Sequence, residues 1–294
     1  MDKHRAISFQ RSSWLVALKQ DFSINKLLSA INDTKNTTPG PDNICYELFK
    51  HMSTKSLEVM LQLFNKIWFT GKNPPSWRHS ILVPIPKPNK PVHVPSSYRP
   101  IFLTSNVCNL FENKIVCRFN WFLEYHNVLN ISQSGFPQRH RTTDHLLRLH
   151  DAIHKSMAHK NNVLSVLIDI EKAYDMVNKD VLLSKLLSYC ISGRMFHFIR
   201  SFLSNRTFQF RIGSTLSMTK SLENGTPQGS VLSPILFPLM INHLPKRITA
   251  YAALYVDDFC FWECDSDITL LNRLCQRSLT KVCKWVWRLW FQTV

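Results

Sequence analysis

At 294 residues the chain is long enough for one large or two modest globular units, and its 45% hydrophobic content supports a buried core. Lys and Arg total 36 against 20 acidic residues, a formal charge of +16 spread along the whole length. That excess favours a polyanionic partner, nucleic acid first among them, although a solvated basic surface would give the same count. The eight cysteines form neither a C-x-x-C pair nor a zinc-finger spacing with His, so neither a disulfide framework nor a structural zinc is expected.

In chain order, the opening MDKHRAISFQRSS lacks an apolar signal region, so secretion is not expected and the nucleus or cytoplasm is. Residues 1–36 read as a helical lead-in. A Pro-Gly turn cluster follows at Thr37–Asp42, and then Leu57, Leu61, Phe64 and Trp68 recur at the spacing of an amphipathic helix. The stretch Pro74–Pro100 is Pro-rich and should be an extended loop or hairpin. Val107, Leu110, Phe111, Ile115, Phe119 and Phe122 mark a further helix, and Leu146, Leu149, Ile153 and Met157 another.

The period then changes. Val163–Ile170 (VLSVLIDI) is short and almost continuously apolar, as a buried strand would be. Helices are predicted around Val181–Tyr189 and Met195–Leu203, and a half-buried strand where Phe208, Phe210 and Ile212 alternate with polar residues. The run Val231–Ile241 is greasy but interrupted by Ser233, Pro234 and Pro238, and too short to cross a bilayer; a helix is expected from Ser230. Tyr251–Val256 and Phe259–Trp262 read as strands around an Asp257-Asp258 turn, with a last helix from Ile268. This mixture argues for an α+β fold with helices packed on a small antiparallel sheet.

Asp169 ends a greasy strand and Asp257-Asp258 sit between two others. An unpaired buried carboxylate is costly, and carboxylates delivered by neighbouring strands suit hard divalent cations. Two such ions about 4 Å apart stabilise the attacking and leaving oxygens of a phosphoryl transfer. Taken alone, an Asp-Asp pair is more often simply a turn.

The surrounding strings narrow the choice. IDIEKAYDMVN (168–178), GTPQGSVLSPILF (225–237) and YVDD (255–258) resemble motifs of the reverse transcriptases of non-LTR retrotransposons, the jockey-like LINE elements in particular. PGPD (39–42), WRHSILVPIPKPNK (77–90) and SYRPIFLTS (97–105) are similar to the same family's fingers region, and the likeness runs from about Phe22 to Trp285.

The resemblance implies a right-hand polymerase: a fingers-like region at 37–160 and a palm-like region at 161–294, intermixed. RNA template, DNA primer and dNTPs would be the partners and two Mg²⁺ ions (Mn²⁺ as an alternative) the cofactors. Asp169 and Asp257 would be the principal metal ligands, Asp258 would assist, and the backbone carbonyl of Ile170 would face a metal. Tyr174 would stand under the sugar and reject ribonucleotides, Lys87 and Arg99 would grip the triphosphate, and Gln228 and Gly229 would lie against the template base and incoming nucleotide. Arg206 is a candidate phosphate contact, or equally a solvated surface Arg. Glu171 and Asp175 read as salt-bridge or helix-start acids rather than ligands.

Departures from the family pattern are also legible. Pro137-Gln138-Arg139 follows Gly135-Phe136, Pro238 falls inside an expected helix at a typical cost of about 3 kcal/mol, and His243 stands where Asp is usual. Beyond Trp285 the family continues into a thumb, whereas this chain reads VWRLWFQTV; the expectation is truncation before the thumb, as by a frameshift, and the upstream endonuclease module is also expected to be missing. The alternative to a competent polymerase is a decayed retrotransposon remnant with at most nucleic-acid binding. A maturase-like RNA-folding role is a weaker third reading.

Overall fold

The computed structural model describes residues 20–134 and 142–291. The chain divides into two compact units, one holding the chain up to Phe119 together with Leu186–Leu232, the other Asn120–Lys185 and the chain from Ser233. The units interleave, so segment 186–232, which lies within the stretch read from sequence as palm, belongs with the first unit.

The first unit contains α1 (Ile24–Asn32), α2 (Tyr46–Lys50), α3 (Thr54–Thr70), β1 (His79–Pro86), β2 (Tyr98–Leu103) and most of α4 (Asn106–Tyr125). After the excursion into the second unit it resumes with α7 (Gly193–Leu203), β5 (Arg206–Ile212), β6 (Thr215–Leu216) and β7 (Lys220–Leu222). Helix α3 starts where the Ser53 side chain accepts the N–H of Ser56, and stops at Gly71, whose φ of 63° is left-handed. Its buried face carries Leu57, Phe64 and Trp68, with Met60 and Ile67 beside them. Phe111 of α4 sits at the centre of an aromatic core, 5.1 Å from both Phe64 and Phe198 and 5.9 Å from Trp77, centroid to centroid. Such tilted and edge contacts add to the burial of large rings.

The Pro-rich stretch is an antiparallel β1–β2 hairpin, and β1 also pairs in parallel with β5, giving the order β2-β1-β5-β6 with β7 on β5. The β5 pairing ends at Leu82, so Pro84 and Pro86 fall where β1 no longer has that neighbour. Prolines, which cannot donate to a ladder, are tolerated in such edge positions.

The second unit is built on a four-stranded sheet in the order β3-β8-β9-β4. Its strands are β3 (Gln133–Ser134), β4 (Asn162–Asp169), β8 (Tyr251–Tyr255) and β9 (Asp258–Asp265). Around them are α5 (Thr142–Ala158), α6 (Lys179–Ser188), α8 (Ser233–Ile241) and α9 (Ile268–Phe291). Strands β8 and β9 pair antiparallel, as do β9 and β4, whereas β3 joins β8 in parallel. Helices α5 and α9 pack on β4 and β9.

Two expectations are corrected here. β4 is not fully buried: it forms the sheet edge, and Leu167 is 77% exposed. The apolar stripe of α5 is not its packed face either, since Leu146 and Met157 are exposed while His145 and Ser156 are buried. His145 Nε2 is bonded to the Ser134 hydroxyl and lies 3.1 Å from the Leu254 carbonyl, tying α5 to β3 and β8. Periodicity identified the helix, but it could not tell which polar side chain would find buried partners.

Pro238 lies inside α8, which nevertheless runs on to Ile241 and is buried at every position but Pro234. Residues 286–291 continue α9 as helix, and among the described residues no helix is long and apolar enough to cross a membrane. The departure at Pro137 falls outside the described residues. All eight cysteines are free thiols.

Candidate active site

Strand β4 delivers Asp169 at its last position, directly opposite Asp258, the first residue of β9. Opposed residues of an antiparallel pair point to one face with Cβ atoms roughly 5 Å apart, and like charges so placed repel. One step beyond the ladder, the N–H of Ile170 donates to the Asp257 carbonyl at 3.1 Å, which holds the β8–β9 turn against the end of β4. All three acids expected from sequence therefore converge on one end of one sheet.

The turn itself is strained. Tyr255 pairs with Asp258, leaving Val256 and Asp257 as a two-residue connection, and Val256 has φ 55°. Tight hairpins need positive φ, which a β-branched residue supplies only at a cost. Val256→Gly should therefore raise stability by about 1 kcal/mol in urea denaturation. A loss of stability would show that the turn carries no such strain.

Electrostatics mark the same spot. Partial burial pushes the Asp257 carboxyl above its usual range, a backbone hydrogen bond opposes this, and the charges of Asp258 and Asp169 push it further up. Among the described residues no Lys or Arg forms an ion pair with any of the three. Tyr174 stands beside them: burial first, and then the charge of Asp257, raise its phenol to about 12. Its ring rests on Phe237 of α8, 5.5 Å between centroids.

Among the described residues no group of three or more His, Cys, Asp and Glu is drawn tightly enough to hold an ion outright. The donor set still fits a hard divalent cation: the groups on offer are carboxylate oxygens, mutually repelling and, among the described residues, without an ion-paired Lys or Arg. Mutual repulsion spreads such side chains until a cation draws them together.

The other predicted residues lie in the first unit. Lys87 continues the β1–β2 ladder, its N–H donating to the Ser97 carbonyl at 2.7 Å, and Arg99 pairs with Ile85. Lys87 and Arg99 are thus diagonal neighbours on one face of the hairpin. The Gln228 carbonyl accepts the N–H of Phe102 at 2.8 Å, docking the 225–232 loop on β2. Gly229 has φ 143°, and a Cβ there would lie 2.2 Å from the Phe102 carbonyl oxygen. Its lack of a side chain is required by this strand contact, whatever it does toward a nucleotide.

Arg206 is corrected: it is neither a phosphate contact nor a surface cation. It is 1% exposed, donates to the carbonyls of Phe202 (3.0 Å) and Trp77 (3.5 Å), and stacks on the Phe202 ring. Its electrostatic partner was missed. Glu112 of α4 is wholly buried, accepts the N–H of Leu232 at 3.0 Å and the thiol of Cys108 at 3.2 Å, and feels the charge of Arg206. Burial pushes its carboxyl up, while Arg206, Cys108 and the N–H groups of Leu232 and Val231 pull it back. The signal was present in the sequence, because Glu112 falls on the same helical stripe as Cys108, Ile115 and Phe119.

A strand-end acid facing an Asp-Asp hairpin, with an aromatic beside them, is an arrangement suited to metal-assisted phosphoryl transfer. The chain belongs to the reverse transcriptase (RNA-dependent DNA polymerase) family, whose sequence profile matches residues 85–289. It is 30% identical over 256 residues to the probable RNA-directed DNA polymerase from transposon BS of Drosophila melanogaster, covering 84% of this chain and 28% of that protein. The X-element polymerase of the same fly is 30% identical over 235 residues, covering 78% of this chain and 26% of that protein. The jockey polymerase, also from D. melanogaster, is 26% identical over 240 residues, covering 78% and 26% respectively. The chain is thus a reverse transcriptase domain similar to those of non-LTR retrotransposons, and it spans about a quarter of the length of these relatives.

Proposed function

We propose that this domain extends a DNA primer on an RNA template using dNTPs, with the second unit as palm and the first as fingers. The observation that carries the reading is the Asp169–Asp258 register with Asp257 coupled to both. Asp169 and Asp257 would hold two Mg²⁺ ions, Asp258 assisting, with the Ile170 carbonyl as a further oxygen. When bound, the ions lower the barrier by offsetting charge on the attacking and leaving oxygens.

The chain's own groups do the positioning. Lys87 and Arg99, on one hairpin face, neutralise triphosphate oxygens, Arg through its planar fork. Gln228, held by its carbonyl to β2, would lie with Gly229 against the template base and incoming nucleotide. Tyr174, braced on Phe237 and un-ionised at neutral pH, sets a floor beneath the deoxyribose.

Extension of a DNA primer on an RNA template by the full chain, with Mg²⁺ and dNTPs, tests the reading. Full-length product is expected, and its absence under conditions where the chain is folded and binds the primed template would favour a decayed remnant. In the same assay Tyr174→Ala should increase ribonucleotide incorporation at least roughly ten-fold. Unchanged sugar selection would remove Tyr174 from that role.

A further inference from the structure

Helix α5 carries two exposed histidines one turn apart, His150 and His154. Residues four apart lie one above the other on a helix face. Here the ring centroids are 4.3 Å apart, the planes are tilted by 53°, and the two Nε2 atoms approach to 3.0 Å. The charged groups on the same turns are Asp151 and Lys155, which close on each other at 2.7 Å. The flanking histidines point elsewhere: His145 Nε2 lies against Ser134 and the Leu254 carbonyl, and His159 Nδ1 is bonded to the Lys155 carbonyl.

Two neutral imidazoles that meet through their Nε2 atoms share one hydrogen, one ring donating and the other accepting. The same two nitrogens are also placed to give their lone pairs to one cation. With metal–nitrogen bonds of about 2.0–2.1 Å, two ligands of one ion stand roughly 2.8–3.0 Å apart at a square corner and roughly 3.3–3.4 Å apart at a tetrahedral one. The 3.0 Å separation meets the first almost without movement and the second with a slight opening. The donating ring need only carry its hydrogen on Nδ1 instead, a change of tautomer without a change of charge. The bite is set in advance, because α5 packs on β4 and β9 and is tied at His145 to β3 and β8.

We propose that His150 and His154 form a two-histidine chelate for a divalent late transition ion, Cu²⁺ by preference and Zn²⁺ or Ni²⁺ more weakly, with water in the remaining positions. That preference is the usual stability order for nitrogen ligands. Among the described residues no third His, Cys, Asp or Glu completes the set, so the ion exchanges with solvent and the fold does not depend on it. Mg²⁺, which takes oxygen ligands, is not a competitor. The site requires no polymerisation, so it stands whether or not the carboxylates are active.

The test is calorimetric titration of the full chain with Cu²⁺ at neutral pH, with the electron paramagnetic resonance spectrum of the complex at one equivalent. The first equivalent should show splitting from two imidazole nitrogens and should slow amide hydrogen exchange in α5. His150→Ala and His154→Ala should each weaken this binding at least about ten-fold, the lower end of what losing a group merely behind a ligand costs. Both variants should melt as the unaltered chain does in EDTA, since both side chains are exposed. His159→Ala and the double variant Asp169→Asn/Asp257→Asn should keep the first equivalent, and millimolar Mg²⁺ should not displace it. Loss of the site in the Asp double variant, with retention in the His variants, would assign the ion to the carboxylates and overturn the proposal. A one-nitrogen spectrum, unchanged binding in either His variant, or an equal loss in His159→Ala would overturn it as well, leaving the 3.0 Å contact as a hydrogen bond and nothing more.

Discussion

Primer extension by Asp169→Asn and by Asp257→Asn should fall at least about 10³-fold below that of the unaltered chain, because in the proposed mechanism each removes a charged oxygen ligand from the point where phosphoryl charge develops. Asp258→Asn, at the start of β9, should lose less, in keeping with the assisting role proposed for it. A second readout separates chemistry from damage to the fold. The folded-state value of Asp257 is raised above its ordinary one, so the stability associated with its protonated form is present at low pH and is lost as pH rises through that raised value. At neutral pH in EDTA the ionised cluster is therefore a liability, and Asp257→Asn should melt higher than the unaltered chain. Millimolar Mg²⁺ should raise the melting temperature of the unaltered chain and do much less for the variant. A variant that was inactive because it was misfolded would show the opposite sign in EDTA. Activity within ten-fold of the unaltered chain in either variant would contradict the assignment.

The largest stability effect is expected well away from these acids, at Glu112. Glu112→Ala leaves the buried guanidinium of Arg206 without its counter-charge and the N–H of Leu232 without its acceptor. Glu112 and Arg206 feel each other's charge without forming an ion pair, so the cost falls at the low end of the roughly 3–5 kcal/mol of a buried pair broken from one side. Glu112→Gln keeps an acceptor for Leu232 and should cost less, roughly 1–3 kcal/mol. The double change Glu112→Met/Arg206→Met should cost less than the sum of the single changes, since no lone charge remains buried. Midpoints of urea denaturation report all three. A Glu112→Ala protein within about 0.5 kcal/mol of the unaltered chain, the range of ordinary surface changes, would show that the pair contributes nothing. The function of the contact follows from where it sits: Glu112 and the β2 contacts of Gln228 and Gly229 hold the two ends of the same loop.

Much of this was legible in the residues. The α3 and α4 stripes, the Pro-rich hairpin and the β8–β9 turn follow from short-range patterns, which local sterics and burial enforce, whereas the convergence of Asp169 with Asp257-Asp258 was expected on the strength of the family resemblance. What sequence could not supply was partnership at long range. Arg206 reads as a phosphate contact or a solvated surface Arg because its partners, Trp77, Phe202 and Glu112, are mostly distant in the chain. Gly229 reads as room for a nucleotide, while the contact that forbids a side chain is with Phe102. β4 reads as buried because an apolar run carries no information about whether its strand lies at a sheet edge. His243 reads as a lost acid, yet in space it joins a ring of cations.

Crystals of the chain grown with Mn²⁺ and a primed template, measured at the manganese absorption edge, would bear most directly on the carboxylate cluster. Anomalous density is expected between the side chains of Asp169 and Asp257, with Asp258 turned toward it. Ordered carboxylates facing apart with no density between them, in crystals where Mn²⁺ is bound elsewhere, would contradict the shared cation site from which the polymerase reading is built.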